Sequence, residues 1–322
     1  MEYRKLGITG LKVSPLCMGT MQFGWSVDEP NTHQILSATI DAGINFIDTA
    51  DIYSKWVDGN EGGVSETYIG NWMKQNAIQR DQIVLATKVR GDMGKGPNDH
   101  GLSRVHIMQG VEASLRRLQT DYIDLYQSHW TDGDTPIEET LRAFDDLVKQ
   151  GKVRYVGASN YAAWELMQAL WTSDKNNLVR YDSLQPHYSL IHRDEFEREL
   201  HAVCKSYGIA VIPYSPLAGG FLTGKYRKNT PLPESKRAEG RKRAMNDKNF
   251  ALIDEMEVIA LRHQASISQI ALAWMLADPV ITSPIIGATS IEQLSENLGA
   301  VNVKLAEDEV ALLSKMTEWK SE

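Results

Sequence analysis

The feature that most constrains this chain is a beat that recurs from residue 15 onward: short apolar strand, loop, amphipathic helix, glycine, next strand. Eight strands follow it: Pro15–Thr20, Asn45–Thr49, Ile83–Lys88, Tyr122–Ser128, Arg154–Ser159, Ser183–Gln185, Ala210–Tyr214 and Ser283–Ile286. Alternation of this kind predicts a parallel sheet with helices outside it. Eight units with no Pro/Gly/Ser-rich linker and no shift in composition predict an α/β fold, a single (β/α)₈ TIM barrel forming one domain over residues 1–322. Residues Tyr3 to Val13 alternate in polarity around Gly7 and Gly10, which predicts a small N-terminal β-hairpin closing the bottom of the barrel. The rival architecture is an open doubly wound sheet. Its nucleotide site needs G-x-G-x-x-G after the first strand, and none stands there.

Helix boundaries support the same beat. Ser103 opens a helix with Val105, Met108, Val111, Leu115 and Leu118 on its inner side. Thr135-Pro136-Ile137-Glu138 reads as a capping box with proline at the first helical position, the helix closing at Gly151. Asp194 is expected to cap a helix that shows Phe196, Leu200, Val203 and Tyr207 and ends at Gly208. Ser290-Ile-Glu-Gln293 repeats the capping pattern and leads into Leu294 and Leu298.

In a barrel of this type the chemistry sits at the carboxyl ends of the strands. The second strand ends at Asp48, with Tyr53 beyond it, and the third at Lys88. The fourth leads into His129-Trp130, the fifth into Ser159-Asn160, the sixth ends in Gln185, and the seventh opens Tyr214-Ser-Pro-Leu-Ala-Gly-Gly220. The eighth gives Gly287-Ala-Thr289 and a helix N-terminus. Taken singly, these residues have bland readings: Asp48 as a turn residue, Tyr53 as packing, His129 as a core histidine, the Ser215–Gly220 run as a loop. Their placement on one rim at nearly every strand is harder to explain as packing. A carboxylate at a buried strand end needs a cation, and a phenol becomes a proton donor when a cation lowers its pKa; Lys88 is the candidate for both.

Composition narrows the class of function. The net charge of −8, with both signs interspersed, gives no reason to expect nucleic-acid or polybasic membrane binding. Cys17 and Cys204 are the only cysteines and form no CxxC pair, which argues against a disulfide scaffold or zinc site and suits a reducing compartment. MEYRKLGITG lacks the apolar core of a signal peptide, and the apolar stretch Ile270 to Ile281 is too short to span a bilayer. The expectation is a cytoplasmic protein that binds no metal and whose partner is a small molecule.

The motifs resemble those of the aldo-keto reductases, from Leu11–Met21 to Asn297. The matching segments are GINFIDTADIY, ATK, RLQTDYIDLYQSHW, GKVRYVGASN, YSPLAGGFLTGKY and IIGATSIEQLSEN. The pattern is most similar to the bacterial branch that also resembles the β subunits of voltage-gated potassium channels. The resemblance implies an oxidoreductase that reduces aldehydes or ketones by hydride transfer from NADPH. It implies a tetrad in which Tyr53 is the general acid, Lys88 lowers its pKa, Asp48 holds Lys88, and His129 orients the carbonyl.

The remaining rim residues are implied to hold NADPH/NADP⁺. Ser159, Asn160 and Gln185 match the carboxamide-binding positions, and Tyr214 the platform under the nicotinamide. Gly19, Thr20, Met21 and Asp48 line the cofactor from the first two strands. Ser215, Leu217 and Gly219 match the pyrophosphate positions, and Gly287, Thr289, Gln293, Glu296 and Asn297 the adenosine end. Gly287 and Gln293 depart from the Lys and Arg that many members carry there. The channel-subunit branch uses a Lys after the seventh strand and an Arg in the next loop; Lys225 matches the first, and Arg237 is the candidate for the second. Residues 227–247, polar and basic, read as a flap over the cofactor or a solvated loop. Trp25, Trp56 and Trp130 are candidates for the walls of a substrate pocket. The alternative function is a redox-sensing regulatory subunit that binds NADPH and turns over slowly; His129 favours the enzyme, because channel β subunits replace that residue.

Overall fold

In the computed structural model, which describes residues 1–228, 230–231 and 239–319, eight parallel strands follow one another round a barrel. Two short strands precede them: β1 (Arg4–Lys5) and β2 (Lys12–Val13) pair antiparallel as the expected hairpin. The barrel strands are β3 (Cys17–Gly19), β4 (Phe46–Asp48), β5 (Val84–Val89), β6 (Ile123–Ser128), β7 (Val153–Ser159), β8 (Tyr181–Gln185), β9 (Ala210–Val211) and β10 (Ile285–Gly287). Their order is β10-β3-β4-β5-β6-β7-β8-β9. The ring closes between β9 and β10, where the Thr282 N–H donates to Val211 O and the Ile285 N–H to Pro213 O, each at 2.8 Å. Each strand lies where the beat predicts it; β3, β4, β6, β9 and β10 are shorter than the apolar runs suggest, while β7 and β8 begin earlier.

The helices are α1 (Glu29–Asp41), α2 (Val64–Gln75), α3 (Arg104–Leu118), α4 (Ile137–Lys149), α5 (Ala163–Asn176), α6 (Asp194–Glu197), α7 (Leu200–Tyr207), α8 (Asp247–His263), α9 (Ile267–Leu276), α10 (Ile291–Leu298) and α11 (Glu307–Met316). Among the described residues, no helix is long and apolar enough to cross a membrane. Three expectations about them change. On α3, Met108, Val111, Leu115 and Leu118 face the core as expected, but Val105 is exposed, and His106 and Ile107 are buried beside it. Pro136 caps α4 with no side-chain bond, because the Thr135 hydroxyl donates to Asp132 at 2.8 Å instead. The helix expected from Asp194 to Gly208 is two, α6 and α7, with Arg193 at the first cap and Tyr207 half-exposed.

Strand alternation sorts the core into two layers. Leu85, Tyr126 and Leu184 face outward and join the large sheet–helix core. Phe46, Val84, Ala86 and Leu125 face inward and meet Cys17, Ala210, Ile212 and Ile285 inside the barrel. Leu6 and Val13 of the hairpin, both fully buried, belong to this inner cluster and plug its lower end. Burying such side chains stabilises by about 1.5–3 kcal/mol each. Arg4 fastens the plug by donating to Ile281 O at 2.8 Å, and Ile8 N–H donates to Gly208 O at 3.0 Å. Gly7 turns the hairpin at φ +58°, and a Cβ there would lie 2.5 Å from Gly208 O. The same alternation carries polar groups inward at the other end. Asp48 follows Phe46 by two, Lys88 follows Ala86, Gln127 follows Leu125, and Gln185 follows Ser183.

Candidate functional site

These four inward residues meet in a fully buried network. Lys88 Nζ donates to Asp48 Oδ2 at 2.6 Å, to Thr49 O at 2.8 Å and to Tyr53 Oη at 2.9 Å. Three acceptors take the three ammonium hydrogens. Asp48 Oδ1 accepts from Gln127 Nε2 at 3.0 Å and Gln185 Nε2 at 2.9 Å, so no oxygen of the buried carboxylate lacks a donor. Burial pulls the Lys88 ammonium down, but Asp48 and then Tyr53 more than offset it and hold the pKa above the ordinary lysine value.

Tyr53 departs from expectation in the sign of its shift. Burial raises the phenol above its ordinary value, and the opposing Lys88 charge does not bring it back down. Tyr53 therefore rests as a neutral phenol whose oxygen accepts from Lys88, leaving its own proton directed elsewhere. His129 lies beside it, ring centroids 5.9 Å apart, and stacks on Trp130 at 3.7 Å. Burial, then the Lys88 and Arg90 charges, push the imidazole well below its ordinary value, so it is neutral. Its Nδ1 is buried without a hydrogen-bond partner among the described residues. Trp56 packs edge-on against both Tyr53 (6.3 Å) and Trp25 (5.9 Å), so the three candidate tryptophans stand around the Tyr53–His129 pair.

The residues expected under the nicotinamide are tied to the same network. Tyr214 Oη donates to Asn160 Oδ1 at 2.9 Å, Asn160 Nδ2 to His129 O at 2.9 Å, and Ser159 Oγ to Gln185 O at 2.9 Å. Thr20 donates to Asp48 O at 3.0 Å, with Gly19 alongside Asp48 in the sheet and Met21 half-buried beyond. Backbone at Ser215 (φ +56°), Ala218 (+49°), Gly219 (+63°) and Gly220 (+96°) turns repeatedly left-handed, and Leu217 packs on the core beneath it. A Cβ on Gly220 would lie 3.2 Å from Lys225 Nζ, so this loop forms a backbone cradle beside a cation. At the other end, Gln293 Oε1 accepts from Thr289 N at 3.0 Å, next to Gly287. Glu296 accepts from Ser268 at 2.9 Å, and Asn297 is buried. Arg237 lies outside the described residues. No three His, Cys, Asp or Glu side chains gather as a metal site among the described residues.

Gln127 was not legible as a site residue. Its one signal is parity: it shares the inward side with Leu125, where an apolar residue is expected. A groove of about 580 Å³ between α5 and α7, lined by Trp171, Arg180 and Tyr207 among others, is separate from this network.

Comparison with known proteins agrees with the geometry. A sequence model of the aldo/keto reductase family matches residues 15–318. An uncharacterized oxidoreductase, YrpG of Bacillus subtilis (strain 168), is 40% identical over 98% of this chain and 95% of its own. Versiconal hemiacetal acetate reductase of Aspergillus parasiticus is 35% identical over 98% and 96%. A probable voltage-gated potassium channel subunit beta of Oryza sativa subsp. japonica is 36% identical over 94% and 92%.

Proposed function

The chain belongs to the aldo/keto reductase family, and from that premise we propose that it is an NADPH-dependent carbonyl reductase, with Tyr53 as the general acid that converts aldehydes or ketones to alcohols. The observation that carries this reading is the saturated Lys88 ammonium. With all three of its hydrogens taken, the 2.9 Å contact makes Tyr53 an acceptor toward Lys88 and leaves the phenolic proton for a carbonyl oxygen. Bound NADPH would supply the hydride for the carbonyl carbon, so that one carbonyl, one NADPH and one proton become one alcohol and one NADP⁺. Lys88 stabilises the phenolate left by proton transfer, and Asp48 keeps Lys88 charged and in place. Neutral His129 donates one N–H to the same carbonyl oxygen and sets its direction.

The cofactor-side residues fit a dinucleotide. Asn160 and Gln185 carry amide groups suited to a carboxamide, and both are already braced, Asn160 by His129 O and Gln185 by Asp48. Proton donor and nicotinamide floor thus share one hydrogen-bonded frame. The left-handed run Ser215–Gly220 offers backbone to a pyrophosphate, and Lys225 a charge to the 2′-phosphate. Lys225→Ala is expected to raise the NADPH dissociation constant about 10-fold or more, with much less effect on NADH. Fluorescence titration with both cofactors checks this; equal losses refute the 2′-phosphate contact. The two unpaired, buried cysteines support placing the enzyme in the cytoplasm.

NADPH oxidation measured over a panel of aldehydes and ketones tests the reading, and turnover of none of them defeats it. The relatives named as channel β subunits support a second reading, a slow NADPH-binding redox sensor. Tight NADPH binding with only single-turnover oxidation across the panel would favour that second reading.

A further inference from the structure

Arg90 has no part in the network described above, yet it stands at the same mouth. It follows the last residue of β5, and the sheet register that pairs Val89 with Ser128 places it level with His129, whose N–H donates to Val89 O at 2.9 Å. Its charge is one of those that push the His129 imidazole down, after burial and Lys88. Arg90 is half-buried, and its Nε is buried with no hydrogen-bond partner among the described residues. Asp132 is an acid whose pKa this charge helps to lower, but its oxygens are already engaged. Its oxygens accept from Leu102 N at 2.7 Å, Thr135 Oγ1 at 2.8 Å and Asp134 N at 3.1 Å.

The backbone at Arg90 is also unusual. Its φ is +131°, a left-handed value that a residue with a Cβ adopts only where its surroundings hold it. Gly101 N–H donates to Arg90 O at 3.0 Å, and a Cβ on the next residue, Gly91, would lie 2.7 Å from Ile52. The fold therefore pins a strained residue whose guanidinium makes no ion pair among the described residues and whose buried Nε has no acceptor there. An oxyanion at the mouth would give that Nε an acceptor and pair the charge.

We infer that Arg90 is a specificity-determining residue that recognises an oxyanion, a carboxylate or a phosphate, on the carbonyl substrate itself. The inference rests on the reductase reading of this mouth and names its substrate class: an anionic aldehyde or ketone. A planar guanidinium takes either oxyanion through two parallel hydrogen bonds. The cofactor's phosphates are the wrong source. In the closed order of eight strands, β5 lies four strands from β9, on the opposite side of the barrel from the Ser215–Gly220 cradle and Lys225. Beside Arg90 stand the stacked rings of His129 and Trp130, which suit the flat apolar body of an aromatic substrate.

The test uses three aldehydes of one skeleton with saturating NADPH: 4-carboxybenzaldehyde, 4-formylphenyl phosphate and the neutral methyl 4-formylbenzoate. The wild type is expected to favour at least one anionic aldehyde over the ester by about 10-fold or more in kcat/KM. Arg90→Gln and Arg90→Ala are expected to lower kcat/KM for that anion about 10- to 100-fold, mainly through KM, and the ester far less. Arg90→Lys should recover part of the preference. The two anionic arms decide between carboxylate and phosphate. Equal kcat/KM for charged and neutral aldehydes in the wild type overturns the inference while leaving the reductase reading intact. So does a loss of the same factor on all three in both variants, which is the mark of a structural role. A matching loss of NADPH affinity, read by fluorescence, would move Arg90 to the cofactor and also overturn it. Failure of the wild type on all three aldehydes and on the wider carbonyl panel removes the reductase reading, and the inference falls with it.

Discussion

Tyr53→Phe is expected to lower kcat for carbonyl reduction about 10²- to 10⁴-fold, the usual contribution of a positioned general acid, while NADPH still binds. The substitution removes one oxygen and little volume, so Trp25, Trp56 and His129 keep their ring neighbours. It removes the proton and also the third acceptor of Lys88, whose ammonium keeps Asp48 Oδ2 and Thr49 O. The direction of the Tyr53 shift makes a second demand. Burial raises the phenol and Lys88 only partly opposes it, so the acid form persists at and above neutral pH. The kcat for reduction should therefore stay flat from about pH 6 to pH 9 and fall only as the phenol ionises, above its ordinary value near 10. Steady-state NADPH oxidation with the two proteins across that range checks both points. Comparable turnover in the phenylalanine variant would remove Tyr53 from the chemistry.

The barrel was legible because its signal is repeated: apolar strand and helix alternate eight times, and one misplaced boundary does not disturb the count. Asp48, Lys88 and Gln185 were legible for a related reason, since each ends an apolar strand and parity with Phe46, Ala86 and Ser183 turns it inward. Gln127 has the same parity but lies one residue before Ser128 and two before His129, and nothing local separates it from an ordinary polar strand end. Its role comes from Asp48, 79 residues away in sequence. The direction of the Tyr53 shift was hidden because it is a balance: charge types can be read from residues, but burial belongs to the fold. Local signals failed where a tertiary partner competed for the same group. Thr135 is a fair helix cap by sequence, yet its hydroxyl goes to Asp132, which also accepts from Leu102 N in the loop leading into α3. Val105 alone fails on α3: in the first turn His106 and Ile107 take the inner side, while Met108, Val111, Leu115 and Leu118 keep the expected face.

Lys88→Met is expected to abolish reduction and to destabilise the protein by about 3–5 kcal/mol, the range found when one member of a buried ion pair is removed. Lys88 and Asp48 are both almost wholly inaccessible, at 0% and 1% side-chain exposure, so water cannot replace the lost partner. Asp48 would keep the Gln127 and Gln185 amides on Oδ1 and lose the donor on Oδ2, and Thr49 O would lose its donor as well. If the loss comes from an uncompensated charge, Lys88→Met combined with Asp48→Asn should recover much of the stability and none of the activity. Folding only by volume would predict the reverse, with the double variant no more stable than the single one. The pH dependence follows from the direction of the Lys88 shift. A lysine whose pKa rises on folding contributes stability that is fully present below its unfolded value, about 10.4, and is lost as pH climbs through the folded value. Urea midpoints for wild type and Lys88→Met should therefore stay equally far apart from pH 6 to pH 9 and draw together only in strong alkali. A gap that closed near neutrality would mean that the pair is not ionised in the fold, and Tyr53 would then have no cation to stabilise its phenolate.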